Sequence, residues 1–115
     1  MKLIESAHTR LLSKAMDVYT LRHRITSANI ANIDTPGYNK LSVSFEEELR
    51  KSSEGQLPNQ ELSQTNPKIV EHDDSPVLEE EMLTMADTQI RVQLVARALR
   101  GNFESLRSGI TGRTQ

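Results

Sequence analysis

Few residues of this chain have types suited to chemistry, and their spacing works against it. His72, Asp73 and Asp74 stand in a row that a cation could visit, but in so polar a segment they are expected to be solvated. His8 and His23 lie far from each other and lack metal-ligand spacing, so they read as surface or packed neutral imidazoles. Glu46-Glu47-Glu48 and Glu79-Glu80-Glu81 are charge runs rather than two carboxylates held apart in different environments, as acid–base catalysis requires. There is no cysteine, which excludes a disulfide framework and thiolate chemistry. No glycine loop cradles a phosphate, and no serine sits on a nucleophile elbow. The expectation is a protein that is not an enzyme, with no metal, cofactor or small-molecule substrate. Arg91, Arg97, Arg100 and Arg107 are spread around a helix without interleaved aromatics, so no nucleic acid is expected either.

What the chain does carry is two long helical patterns. From Leu78, steps of four and three residues reach Met82, Met85, Gln89, Val92, Ala96, Leu99, Phe103, Leu106 and Ile110. Such a heptad gives one apolar seam that needs a partner helix. Near the start, Ile4, Ala7, Leu11, Val18, Leu21, Ile25 and Ala28 keep the same register, with Lys14 and Asn32 as polar members expected to fix alignment. Gln89 is expected either to do the same or to bond to a neighbour. Leu83, Ile90 and Leu94 form a second apolar row beside the C-terminal seam. One partner cannot cover both rows, so the row belongs either to assembly or to the widened face of a larger bundle.

The fold class that follows is mainly α: long N- and C-terminal helices paired as an antiparallel coiled coil, a short extended segment and a mobile middle loop. Residues 1–33 form the first helix and 34–51 a turn and extended segment. Residues 52–75 form a mobile loop, expected to lack order, and 76–112 the second helix. Pro36 must end the first helix, and Pro36-Gly37 suits a type II turn. Leu41, Val43 and Phe45 alternate with polar residues as in a strand with one apolar face, and Glu46 to Lys51 fits one or two helical turns. Ser75 is expected to cap the second helix with Pro76 at its first position, and the helix is expected to fray after about residue 108. Gly101 is read either as a close approach by another helix or as simple tolerance.

At 115 residues there is room for one domain. Aromatics make up 3% and Trp is absent, so a lone helical hairpin should be marginal, with neighbours completing it. The N-terminus turns polar too soon for a secretory signal, and no apolar run approaches the roughly 18 residues of a membrane span. Net charge is −2, with the acidic excess concentrated between the two helices.

Residues 27–38, Ser-Ala-Asn-Ile-Ala-Asn-Ile-Asp-Thr-Pro-Gly-Tyr, resemble the N-terminal signature of the bacterial flagellar axial proteins, the family of rod, hook and hook-associated subunits. The matching positions are Asn29, Asn32, Thr35, Pro36, Gly37 and Tyr38. The short chain, the segment Leu41 to Leu49, and the stretch from Glu81-Met82 through Phe103 are similar to the proximal rod members of that family. The resemblance covers about residues 1–50 and 76–112. It implies a structural subunit of the basal-body rod, a periplasmic drive shaft built by helical self-assembly around the export channel for motility. It implies assembly through Leu11, Val18, Ile25, Met82, Met85, Val92, Leu99, Phe103 and Leu106, with Leu83, Ile90 and Leu94 as a second contact row. The implied partners are copies of itself, other rod proteins, the rod–rotor adaptor and the flagellar type III export gate, reached without a cleaved signal peptide. Family members are often disordered at their ends as monomers. Two rivals stand beside this: another short rod protein at a neighbouring level, and a cytosolic coiled-coil adaptor or export chaperone.

Overall fold

The computed structural model describes residues 6–56 and 61–111. Helix α1 (Ala7–Ala31) is followed by strand β1 (Leu41–Ser44), the short helix α2 (Glu46–Lys51), strand β2 (Lys68–Glu71) and helix α3 (Leu78–Thr111). A π-helical turn at Ser52–Gln56 and a 3-10 turn at Leu62–Gln64 lie between α2 and β2. Ile4 and Leu57, two apolar points of the sequence reading, fall outside the described residues.

Local chemistry sets the ends of α1. The Ser6 side chain accepts the Thr9 N–H at 3.1 Å, an N-cap. At the other end the Asn32 backbone N–H bonds to the Ala28 carbonyl at 3.1 Å, and its side-chain amide donates to the same oxygen at 2.8 Å. Thr35 Oγ1 then donates to Asn32 Oδ1 at 3.0 Å. The Tyr38 N–H closes the turn on the Thr35 carbonyl at 3.2 Å, with Gly37 at φ 78° as the type II geometry requires. Asn32 thus caps the helix instead of setting a seam. Lys14, its supposed companion, reaches outward to Asn66 Oδ1 at 3.2 Å and pins the segment before β2.

Two side-chain bonds fix how the long helices pair. Thr9 meets Asn102, and Asn29 meets Glu81. Moving forward along α1 means moving back along α3 by nearly the same number of residues, so the pair is antiparallel and in step. Residues 103–111 of α3 continue past the Asn102–Thr9 contact.

Strand β2 was not expected. It pairs antiparallel with β1, Leu41 opposite Glu71 and Ser44 opposite Lys68. Its sequence, Lys-Ile-Val-Glu, lacks alternation, and Ile69 is 52% exposed, so pairing rather than burial defines it. The start of α3 also differs from expectation. The first helical N–H, of Glu81, bonds to the Val77 carbonyl at 3.0 Å, so Ser75 is not the cap and Pro76 precedes the helix. Nor does α3 stop at 108. It continues to Thr111, whose hydroxyl donates to the Arg107 carbonyl at 3.0 Å.

The inward face of α3 needs the largest correction. Met82, Phe103 and Ile110 are each more than half exposed, Leu78 is 41% exposed, and Gln89 is exposed. The centre of the covered face runs Glu81, Met85, Thr88, Val92, Val95, Leu99, Asn102 and Leu106, flanked by half-buried Thr84, Arg91, Ala96 and Ala98. This is also an unbroken heptad. It shares Met85, Val92, Leu99 and Leu106 with the expected one and turns the helix toward polar residues at three of the four other steps, Glu81, Thr88 and Asn102, with Val95 at the fourth. Apolar count favours the other register. The hydrogen bonds that Glu81 accepts from Asn29 and Asn102 donates to Thr9 select this one. On α1, Val18 and Ile25 are buried and Leu11 half-buried, with Tyr19 and Thr26 buried as well.

The apolar core is small: Val18, Ile25, Val43 and Phe45, with Leu21, Leu41 and Leu49 packed against it. It forms where the hairpin lies on α1. The chain has two phenylalanines, with opposite surroundings. Replacing buried Phe45 with Ala should cost about 3–5 kcal/mol in urea unfolding, whereas the same change at exposed Phe103 should stay within about 1 kcal/mol. Equal losses would contradict this core.

Candidate functional site: the polar joint and the outward face of α3

Two of the motif residues, Asn29 and Tyr38, meet at one joint. Register places Leu41 and Val43 in the pairs whose backbone N–H and C=O groups point away from β2. Those groups face α1, where no strand is present. Asn29 takes the strand's place. Its Nδ2 donates to the Leu41 carbonyl at 2.7 Å, and its Oδ1 accepts the Leu41 N–H at 3.2 Å. The Val43 carbonyl accepts from Arg22 Nη2 at 2.9 Å. The inner edge of the hairpin is therefore completed by two side chains from α1.

The same Asn29 amide reaches α3. Its Nδ2 also donates to Glu81 Oε1 at 2.8 Å, and Tyr38 donates its hydroxyl to Asn29 Oδ1 at 3.3 Å. Asn29 and Glu81 are both buried to about 1% exposure or less. A buried carboxylate requires a counter-charge. Lys40 Nζ supplies it, 3.2 Å from Glu81 Oε2 and 3.6 Å from Glu80. The Lys40 contact is an ion pair without hydrogen-bond alignment. Burial opposes the Lys40 ammonium, but Glu81 and Glu80 outweigh it and hold its pKa above the ordinary lysine value. A neighbouring bond, Ser42 Oγ to His72 Nε2 at 2.8 Å, ties the two strands at this end.

One helix turn and more away, Glu46 forms a second clamp. Its carboxylate accepts from Arg22 at 2.8 and 3.0 Å, from Arg91 at 3.3 Å and from Tyr19 at 3.4 Å. It joins α1, the start of α2 and α3. The Arg22 hydrogen bonds hold the Glu46 carboxyl down at about 2, against the cost of desolvation.

Sequence reasoning singled out the motif but missed its partners. Arg22 and Lys40 are not singled out by it, and Glu46 and Glu81 fall in the two charge runs. Glu81 had one available signal, its place in the alternative heptad. Nothing local marked the other three. The structure brings Asn29, Asn32, Thr35 and Tyr38 together and leaves Pro36 and Gly37 exposed at the turn. It leaves the second apolar row uncovered: Leu83, Ile90 and Leu94 are 72, 57 and 58% exposed. Gly101 is open as well, with nothing within 4 Å of a built Cβ. Among the described residues no cluster of His, Cys, Asp and Glu is arranged to hold a metal, and no helix is long and apolar enough to cross a membrane.

Comparison with known proteins falls on this joint. A family model for flagella basal body rod proteins matches residues 22–39, from the Arg22 clamp through Asn29 and the turn. Over a longer span the chain is similar to the flagellar basal body rod protein FlgB of Bacillus subtilis, 29% identical across 88% of this chain and 91% of that protein. The protein of the same name from Borreliella burgdorferi is 51% identical across 32% of this chain and 27% of its own length. That from Salmonella typhimurium is 42% identical across 39% and 33%.

Two measurements test the joint. Asn29→Ala orphans both backbone groups of Leu41 and one oxygen of Glu81, and should cost roughly 2–5 kcal/mol of stability. Asn29→Asp should be no better, because it keeps one acceptor and sets a second carboxylate against Glu81. A loss under about 0.5 kcal/mol in both, the size of an ordinary surface change, would contradict the account. Glu46 has a folded pKa below its ordinary 4.5. Its contribution is therefore present above pH 4.5 and lost as pH falls through about 2. Urea midpoints across that window should drop for the native chain and drop less for Glu46→Gln.

Proposed function

We propose that this chain is a flagellar basal body rod protein, a structural subunit of the rod, and that it builds the proximal part of the shaft in the periplasm. Subunits assemble helically around the export channel, reach it through the flagellar type III route, and meet other rod proteins, the rod–rotor adaptor and the export gate. The observation that carries this reading is the division of α3 into two faces. The inward face is committed to α1 and includes the polar residues Glu81, Thr88 and Asn102. The outward face holds Leu83, Ile90 and Leu94, exposed and uncovered among the described residues. Exposed apolar rows on a folded chain mark contact surfaces.

Met82, Phe103 and Ile110 extend that exposed surface toward both ends of α3. They serve contacts between subunits, while Leu11, Val18, Ile25, Met85, Val92, Leu99 and Leu106 hold the helix pair within one. The joint and the Glu46 clamp make the helices and hairpin one stiff body, as a torque-bearing shaft requires. The rival adaptor or chaperone is not favoured, since the rod-family match lies on a turn such a protein would not need.

Leu83→Asp with Leu94→Asp should abolish rod assembly and swimming while the purified chain keeps its helicity. Normal motility would contradict the outward face as an assembly surface. Leu99→Asp, on the inward face, should instead lower helicity and stability before assembly is reached.

A further inference from the structure

Asn29 and Arg22 complete the inner edge of the hairpin with one exception. Leu41 gives both of its backbone groups to Asn29, and the Val43 carbonyl goes to Arg22. The Val43 N–H also points away from β2, and among the described residues it meets no acceptor at hydrogen-bond distance. Val43 is buried. Native structures almost always pair such a group, with protein or with ordered water.

The spacing of α1 explains why no side chain meets it. Arg22, Thr26 and Asn29 share one face of the helix, four and three residues apart. Thr26, the middle one, is buried and short. Its hydroxyl donates back to the Arg22 carbonyl at 2.8 Å and makes no bond to the strand. A cavity of about 110 Å³ lies here between α1, β1 and the start of α3, and its lining includes Thr26, Lys40, Val43, Glu81 and Thr84. A second unsatisfied group belongs to the same lining. Glu81 Oε1 takes the Asn29 donor, but buried Oε2 accepts no hydrogen bond, and Lys40 stands 3.2 Å from it without alignment. A strand donor and a carboxylate oxygen of α3 thus border one polar space without bonding to each other.

We infer that this cavity is a binding site for ordered water, which accepts the Val43 N–H and donates to Glu81 Oε2. A water needs roughly 10–15 Å³ of such volume and two to four polar partners. The cavity holds several, so a short chain of waters spans the gap. Thr26 and Thr84 supply further acceptors: their hydroxyl protons are committed to the Arg22 and Glu80 carbonyls at 2.8 and 3.0 Å, which leaves their lone pairs free. Lys40 supplies a second donor. The water does for Val43 what Asn29 does for Leu41, tying the strand edge to α3. An apolar side chain filling the space would orphan both groups.

Water-to-amide magnetisation transfer, measured by solid-state NMR on the isotope-labelled full-length chain in its assembled form, reads this site. Transfer is expected at the Val43 amide and not at Leu41 or Ser42, which Asn29 and β2 close off. The Val43 signal should persist in Thr26→Val and in Thr84→Val, each of which removes a hydroxyl proton that would otherwise relay exchange. A Val43 amide as silent as Leu41, or a signal lost in either valine variant, overturns the water site. The motility test of the outward face of α3 is independent of this result.

Discussion

A β-strand buried against a helix has a backbone problem: every second residue presents an N–H and a C=O to a surface that has none to return. Here one carboxamide meets that need at Leu41, and Arg22 serves the Val43 carbonyl. The Asn29 side chain carries a donor and an acceptor at the spacing of a peptide group, and it bonds both groups of Leu41. Its remaining donor capacity goes to the Glu81 carboxylate on α3. Because one side chain serves the strand and the far helix together, the hairpin and the helix pair cannot shift independently. No other residue type does this in the same volume. Aspartate lacks the donors, and glutamine is a methylene longer.

The rest of the architecture follows from that junction. Burying Glu81 requires Lys40, which the turn delivers immediately before β1. Turning Glu81 inward rotates α3, so Thr88 and Asn102 also face α1 and Leu83, Ile90 and Leu94 face away. The polar inward seam and the apolar outward row are two consequences of one rotation. A helix placed by apolar burial alone would hide Met82 and Phe103 and leave less surface for a neighbour. The subunit thus trades apolar packing within itself for a contact face outside, with hydrogen bonds and the Glu46 clamp keeping the register.

This explains where the sequence was legible. The ends of α1, the type II turn and β1 are written in local chemistry, in Pro36, Gly37 and the alternation of Leu41, Val43 and Phe45. The two long helices are written in periodicity. The facing of α3 is not, because Met85, Val92, Leu99 and Leu106 belong to two heptads at once and the more apolar heptad is not the one turned inward. The choice is made by Asn29 and Thr9, more than fifty residues away in the chain. Strand β2 was hidden for a related reason, since its order comes from pairing with β1 and its side chains are largely exposed. The motif was recognisable as a pattern, but its purpose, to complete a strand edge and seat a buried carboxylate, appears only in three dimensions.

The central claim is that a side chain of α1 acts as the missing strand, and amide hydrogen exchange in the full-length chain tests it most directly. Ser42 bonds within the hairpin, whereas the Leu41 amide has only Asn29 to protect it. The account predicts that Leu41 exchanges as slowly as Ser42. Free exchange at Leu41 beside a protected Ser42 would show that the hairpin stands without the joint, and would contradict it.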